Sequence, residues 1–217
     1  MTREKKKTIG ISQFKKIKGM IVHISKNYTN HQLTSREVSP VKVFEDRILY
    51  WLLEPLKKLR EVCPEDSDFI ILSSLFPMFE SIGMFLTGEN SRNKSKKTFK
   101  QGFEEVVGNQ VFQNSHVNKD KIIDFLYDSC RSGLAHSGIT KDKIIVGEVK
   151  NKPMDFHLNE SGNVDVVRID PWKLLNVFEE WFISYIRDLK KGGNKLHNFE
   201  KTWNRETPEI CGGCSQS

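Results

Sequence analysis

NKDKIIDFLYDSCRSGLAHSG, residues 118–138, reads as an amphipathic helix that ends in a polar cluster. Ile122, Ile123, Phe125, Leu126 and Cys130 recur at helical spacing and make one apolar face. Asn118 suits the N-cap, and Asp120 places negative charge at the positive end of the helix dipole. The other end carries Arg131, Ser132, His136 and Ser137, with Gly133 and Gly138 to loosen the last turns.

Working outward, the same periodicity predicts further helices. Phe44, Ile48, Trp51, Leu52, Leu56 and Leu59 mark a helix over 41–60. Pro55 removes a hydrogen bond inside it and predicts a kink or a break. Ser67-Asp68 can cap a helix to about Leu86 whose apolar stripe is so wide that it belongs at the centre of a bundle, with Pro77 bending it and Gly88 stopping it. Phe99, Phe103, Val106 and Val107 predict a helix over 95–107. Asp170-Pro171 reads as a cap followed by proline at the first helical position, opening a long helix with Trp172, Leu175, Phe178, Phe182, Tyr185, Ile186 and Leu189 on one face. That face is wide enough to serve the core and a second subunit.

Between 142 and 169 the texture changes to short β-branched runs separated by turn residues, Asn151-Lys152-Pro153 and Asn159 to Asn163. The expected fold class is therefore mainly α. It is an up-and-down helical bundle with a small antiparallel β-hairpin or three-stranded flap between the fourth core helix and the long C-terminal helix. Residues 1–40 read as a basic arm and loop, 41–192 as the bundle and 193–217 as a loosely packed tail, pinned at most by Phe199 and Trp203.

Composition narrows the class. The 217 residues are 37% hydrophobic, enough for one substantial core. Lys and Arg total 34 against 28 acids, a net charge of +6, and the excess is concentrated in Thr2–Lys18. Such a tail suits a solvated terminus, nucleic acid or an anionic surface. Four cysteines are too few for a disulfide framework at this length, and the Cys211/Cys214 pair has no second ligand pair beside it. The basic N-terminus lacks the apolar run of a secretion signal, and no uninterrupted run of 18 apolar residues suggests a membrane span. A cytoplasmic protein is expected. No phosphate loop, dinucleotide fingerprint, HExxH or zinc-finger spacing occurs, so neither a cofactor nor a metal is expected.

Two features carry chemistry. Glu80 is a lone carboxylate in a very apolar helix. It faces either an exposed strip or a basic partner on another helix, Arg131 being the natural one, because burying it unpaired is expensive. Arg131 and His136 are five residues apart, about 140° on a straight helix, and meet only if the helix loosens. An arginine fork fits phosphate, and an imidazole takes or gives a proton near neutral pH. Together they suit attack of an RNA 2′-hydroxyl on the adjacent phosphodiester, because the nucleophile belongs to the substrate. Ser132 and Ser137 are placed to bond the phosphate or orient the imidazole. Tyr127 and Asp128, one turn earlier, are placed to shape or tune the site. Lys141, Lys143 and the run Arg92, Lys94, Lys96, Lys97 and Lys100 offer a basic rim for RNA backbone. The plainer alternative is a helix C-terminus whose Arg and His satisfy the last carbonyls.

The segment LYDSCRSGLAHSG, 126–138, within this helical context resembles the HEPN superfamily of small helical-bundle nucleases, toxins and defence proteins. That family carries an R-x4-6-H motif near the end of a late bundle helix, matched here by Arg131 and His136 at the minimum spacing. The residue after the motif arginine is commonly Asn, Asp or His; here it is the smaller Ser132. The likeness spans roughly 41–190. It implies a metal-independent endoribonuclease acting on single-stranded RNA, with Arg131 and His136 catalytic. It also implies a homodimer whose two motifs share a cleft, and in toxin or defence members a cognate antitoxin or other protein partner. A non-catalytic RNA- or nucleotide-binding bundle and a protein-interaction dimer are the competing expectations.

Overall fold

The computed structural model describes residues 21–64, 66–112, 118–133 and 143–208. In chain order the helices are α1 (Asn30–Thr34), α2 (Pro40–Arg47), α3 (Glu54–Val62), α4 (Ser67–Thr87), α5 (Ser95–Val111) and α6 (Lys119–Leu126), then α7 (Pro171–Lys191) and α8 (Asn194–Glu206). Three strands, β1 (Ile144–Val146), β2 (Met154–Leu158) and β3 (Val164–Ile169), lie between α6 and α7. The protein is mainly helical with one small sheet.

The chain stays helical from α2 through α3, so Pro55 does not split the helix. A π-helical turn, Ile48–Leu53, joins them, and the Glu54 N–H reaches back to the Leu49 oxygen. The wider turn just before Pro55 accommodates a ring that would collide with a regular α-helical carbonyl. Ser39 caps the start through a bond from the Lys42 N–H, with Pro40 at the first helical position. Asp46, on this helix, is buried and accepts from the Asn27 backbone N–H at 3.0 Å and its side-chain amide at 2.6 Å, which ties the segment before α1 to the bundle.

α4 is the central element. It contacts α3, α5, α7 and α8, and Ile71, Leu72, Leu75, Phe76 and Phe79 are fully enclosed. The helix runs through Pro77 without interruption and stops at Gly88, whose φ of 69° needs the left-handed freedom of glycine. By length and composition α4 is apolar enough to cross a membrane, the only such helix among the described residues. Ser73, Ser74, Glu80 and Ser81 interrupt its apolar run, and Ile71, Leu72, Leu75, Phe76, Phe79 and Ile82 are buried within the chain's own core, while Phe69 and Ile70 are exposed. α4 and α5 cross almost backbone to backbone: a Cβ on Gly83 would stand 1.9 Å from the Thr98 oxygen, and one on Gly102 1.8 Å from the Phe79 oxygen. Phe76, Phe79, Phe99 and Phe103 interlock at this crossing, Phe79 and Phe103 with ring centroids 5.1 Å apart.

The segment expected as a loose tail is largely α8, a packed helix. Phe199, Thr202 and Trp203 are buried, and Phe199 joins Phe44 and Phe85 at ring distances of 5.3 Å. Its polar side chains serve the C-terminus of α4, where the carbonyls after Met84 run out of helical donors. Asn198 donates to Leu86 O, Thr202 to Met84 O, and Arg205 to Gly88 O and Glu89 O. A cap supplied by a helix more than a hundred residues downstream cannot be read from local periodicity. Cys211 and Cys214 lie outside the described residues.

The sheet has the order β1-β3-β2. β2 pairs antiparallel with β3, but β1 pairs parallel with it, so the flap is mixed rather than wholly antiparallel. Asp170 joins it to the bundle: one carboxylate oxygen caps α7 through the Lys173 N–H at 2.9 Å, and the other accepts from the Val149 N–H at 3.3 Å. On α7, Leu174, Leu175, Phe178, Phe182, Tyr185, Ile186 and Leu189 are buried within the chain's own core, leaving Ile183 as its exposed large apolar residue.

Candidate functional site

The motif helix starts as the sequence suggests. The Asn118 side chain caps it through the Lys121 N–H, and Ile122, Ile123 and Leu126 are buried. After Leu126 it widens into a second π-helical turn, Tyr127–Arg131, closed by the Ser132 N–H on Tyr127 O. The extra residue accommodated in this turn puts Ser129 and Cys130 both in the interior. Burial pushes the Cys130 thiol up to about 12, so it stays protonated and serves as core.

Arg131 reaches α4. Its Nε and Nη2 donate to Oε2 of Glu80 at 3.0 and 2.8 Å. Glu80 is buried within α4, and the Arg131 side chain retains 23% of its exposure. Of the two placements open to Glu80 from sequence, the partnered one is observed. Both guanidinium donors fall on a single carboxylate oxygen, a fork onto one point rather than a side-by-side pair. Nη1 has no protein acceptor among the described residues.

Tyr127 packs edge-on against Phe99 with ring centroids 5.3 Å apart, and its hydroxyl is hydrogen-bonded to that of Ser95 on α5. Asp128 points away from Glu80 and Arg131's shared contact, onto Lys96 at 3.1 Å. It belongs to a ladder between α5 and α6. Lys96 meets Asp124 and Asp128, Lys100 meets Asp120 and Asp124, and Lys119 meets Glu104. Lys94 and Lys97 both lean on Glu89. Of the rim expected to hold RNA backbone, Lys94, Lys96, Lys97, Lys100 and Lys143 are thus paired with carboxylates of the same chain. Asp120, Asp124 and Asp128 recur every four residues, as do Lys96 and Lys100, so two facing charged stripes were present in the sequence as a signal.

Ser132 continues the helix beyond Arg131 and is half-buried. His136, Ser137 and Lys141 lie outside the described residues. Among the described residues no three His, Cys, Asp or Glu side chains converge as a metal-ligand group. No family model, curated protein or solved structure matches the chain.

Proposed function

We propose that this protein is a metal-independent endoribonuclease of the HEPN kind, cleaving single-stranded RNA by attack of a 2′-hydroxyl on the neighbouring phosphorus. The observation that supports this most is the Glu80–Arg131 pair. A buried carboxylate holds one edge of the guanidinium and, among the described residues, leaves Nη1 without an acceptor, five residues before a histidine in sequence. In the reaction the 2′-oxygen forms a bond to phosphorus and the bond to the 5′-oxygen breaks, giving a 2′,3′-cyclic phosphate and a free 5′-hydroxyl. His136 takes the proton of the attacking hydroxyl or returns one to the departing oxygen. Arg131 stabilises the charge gathering on the non-bridging oxygens. Ser132 and Ser137 orient the phosphate or the imidazole, and Lys141 holds backbone beyond the cut. Two copies form a homodimer that brings both motifs to one cleft, acting in the cytoplasm as a toxin or defence effector under the control of a cognate protein partner.

The same ion pair also favours a second reading. Glu80 neutralises Arg131, so the arginine has a structural role available to it, as in a non-catalytic RNA-binding or protein-interaction dimer. Incubation with single-stranded RNA in chelator separates the two. The nuclease reading expects fragments ending in 2′,3′-cyclic phosphate, and their loss in His136→Ala with the helical circular dichroism retained. Cleavage undiminished in that variant refutes it. Salt-sensitive binding without products leaves the second reading.

A further inference from the structure

Asn93, Lys94, Ser95, Lys96, Lys97 and Tyr127 line an open groove of about 430 Å³ where α5 begins beside the end of α6. Its floor holds the hydroxyl pair of Ser95 and Tyr127. Two hydroxyls carry two protons; one lies between them, and the other is left to donate outward. Above them stand three ammonium groups. Lys94 and Lys97, 3.7 and 3.2 Å away, share one oxygen of Glu89, two positive charges on one negative. That crowding of cations holds the Glu89 carboxyl below its usual range. Lys96 is shared between Asp124 and Asp128 at 3.4 and 3.1 Å, while Lys100 sits closer to Asp124 at 2.9 Å. The pairs of Lys94 and Lys97 with Glu89 and of Lys96 with Asp128 are between substantially exposed side chains, which contribute little to stability and exchange readily for another anion. An anion with several oxygens satisfies the ammonium groups and the spare hydroxyl proton at once, which a single carboxylate on one side does not. Tyr127 is the first residue of the π-helical turn that ends at Arg131, so the groove and the arginine lie one turn apart on the same helix.

We propose that this groove is a subsite for the phosphate backbone of single-stranded RNA. It holds the phosphate adjacent along the strand to the one at Arg131. Lys94 and Lys97 exchange Glu89 for the phosphate, and the Ser95–Tyr127 hydroxyl pair donates the remaining hydrogen bond. This rests on the RNA reading given above, in either its catalytic or its binding form, and it assigns the residues that track the strand away from the reacting bond.

The test is fluorescence anisotropy with the full chain and a labelled 2′-O-methyl single-stranded oligonucleotide, which cannot be cut because its nucleophile is blocked. The double variant Lys94→Gln/Lys97→Gln is expected to weaken binding at least tenfold at low salt. It should also flatten the dependence of log Kd on log salt by about 1.4, the value for two lost phosphate contacts on a single strand. Tyr127→Phe keeps the ring and its packing on Phe99 but removes the hydroxyl. It is expected to weaken binding severalfold with no change of slope. Lys119→Gln, at the far end of the α5–α6 ladder, removes the same charge outside the groove and is expected to match the parent chain. Parent affinity and slope in the lysine double variant overturn the proposal, as does absence of any binding by the parent chain at low salt. If the parent binds the oligonucleotide through these lysines but leaves natural RNA intact, cleavage is refuted and the groove stands. If natural RNA is cut while the double variant binds like the parent, the groove falls and the nuclease reading stands.

Discussion

Replacing both members of the Glu80–Arg131 pair is expected to harm the protein less than replacing either one. Glu80 is the more enclosed partner, with 11% of its side-chain surface exposed against 23% for Arg131. Arg131→Leu leaves a buried carboxylate without its two guanidinium donors, and an uncompensated buried charge costs several kcal/mol. Residual solvent access lowers that to about 2–3 kcal/mol. Glu80→Leu leaves the guanidinium, which is long and partly exposed and can turn toward water, so the expected loss is smaller, about 1–2 kcal/mol. Glu80→Leu/Arg131→Leu puts apolar side chains where the pair stood and is expected to lose only about 1 kcal/mol. The coupling is then about 2–4 kcal/mol, far above what additive sites show. Urea unfolding followed by tryptophan fluorescence measures it. With a slope of about 2 kcal/mol per molar, Arg131→Leu moves the midpoint by about 1–1.5 M and the double variant by only about 0.5 M. A double variant whose loss equals the sum of the singles would show that the two side chains do not depend on each other, and the account of the site as a held arginine would fail with it.

Two further outcomes follow from the packing. Gly102→Ala puts a methyl 1.8 Å from the Phe79 carbonyl oxygen, a contact only backbone movement can relieve, and is expected to cost more than about 3 kcal/mol. Gly162→Ala meets no atom within 4 Å and pays only for its φ of 71°, about 1 kcal/mol, so equal midpoints for the two variants in urea would contradict the close α4–α5 crossing. Burial alone raises the Asp46 carboxyl, but the two hydrogen bonds from Asn27 help to outweigh it and hold the group below its ordinary value. Its stabilisation is therefore present above the unfolded carboxylate value of about 4 and is lost as pH falls through the folded one. The stability difference between the parent and Asp46→Asn should shrink between pH 5 and pH 3; a constant difference across that range refutes the assignment.

Much of the architecture is legible from local rules. Apolar spacing located α4, α5, α6 and α7. Asn118 and Asp170 cap helices, Pro171 opens one and Gly88 ends one, as their side chains dictate. These readings work because each depends on groups within one or two turns of chain. The direction of β1 was not legible, since alternation of side chains is the same in parallel and antiparallel pairing. Nor was the fate of Pro55, because a proline signals a lost hydrogen bond but not whether the helix kinks, breaks or widens.

By itself, then, the amino-acid order determined that α4, α5, α6 and α7 coil and how several of them start and stop, because propensity and capping are properties of residues and near neighbours, while for Glu80 it left an exposed strip and a basic partner both open. Only the tertiary structure decided that Glu80 and Arg131 partner each other across 51 residues, that α8 closes the end of α4, and that lysines at the start of α5 surround a groove beside Tyr127. Pairing at a distance is set by how helices cross, and that crossing depends on the whole core at once, down to the absence of a Cβ at Gly83 and Gly102.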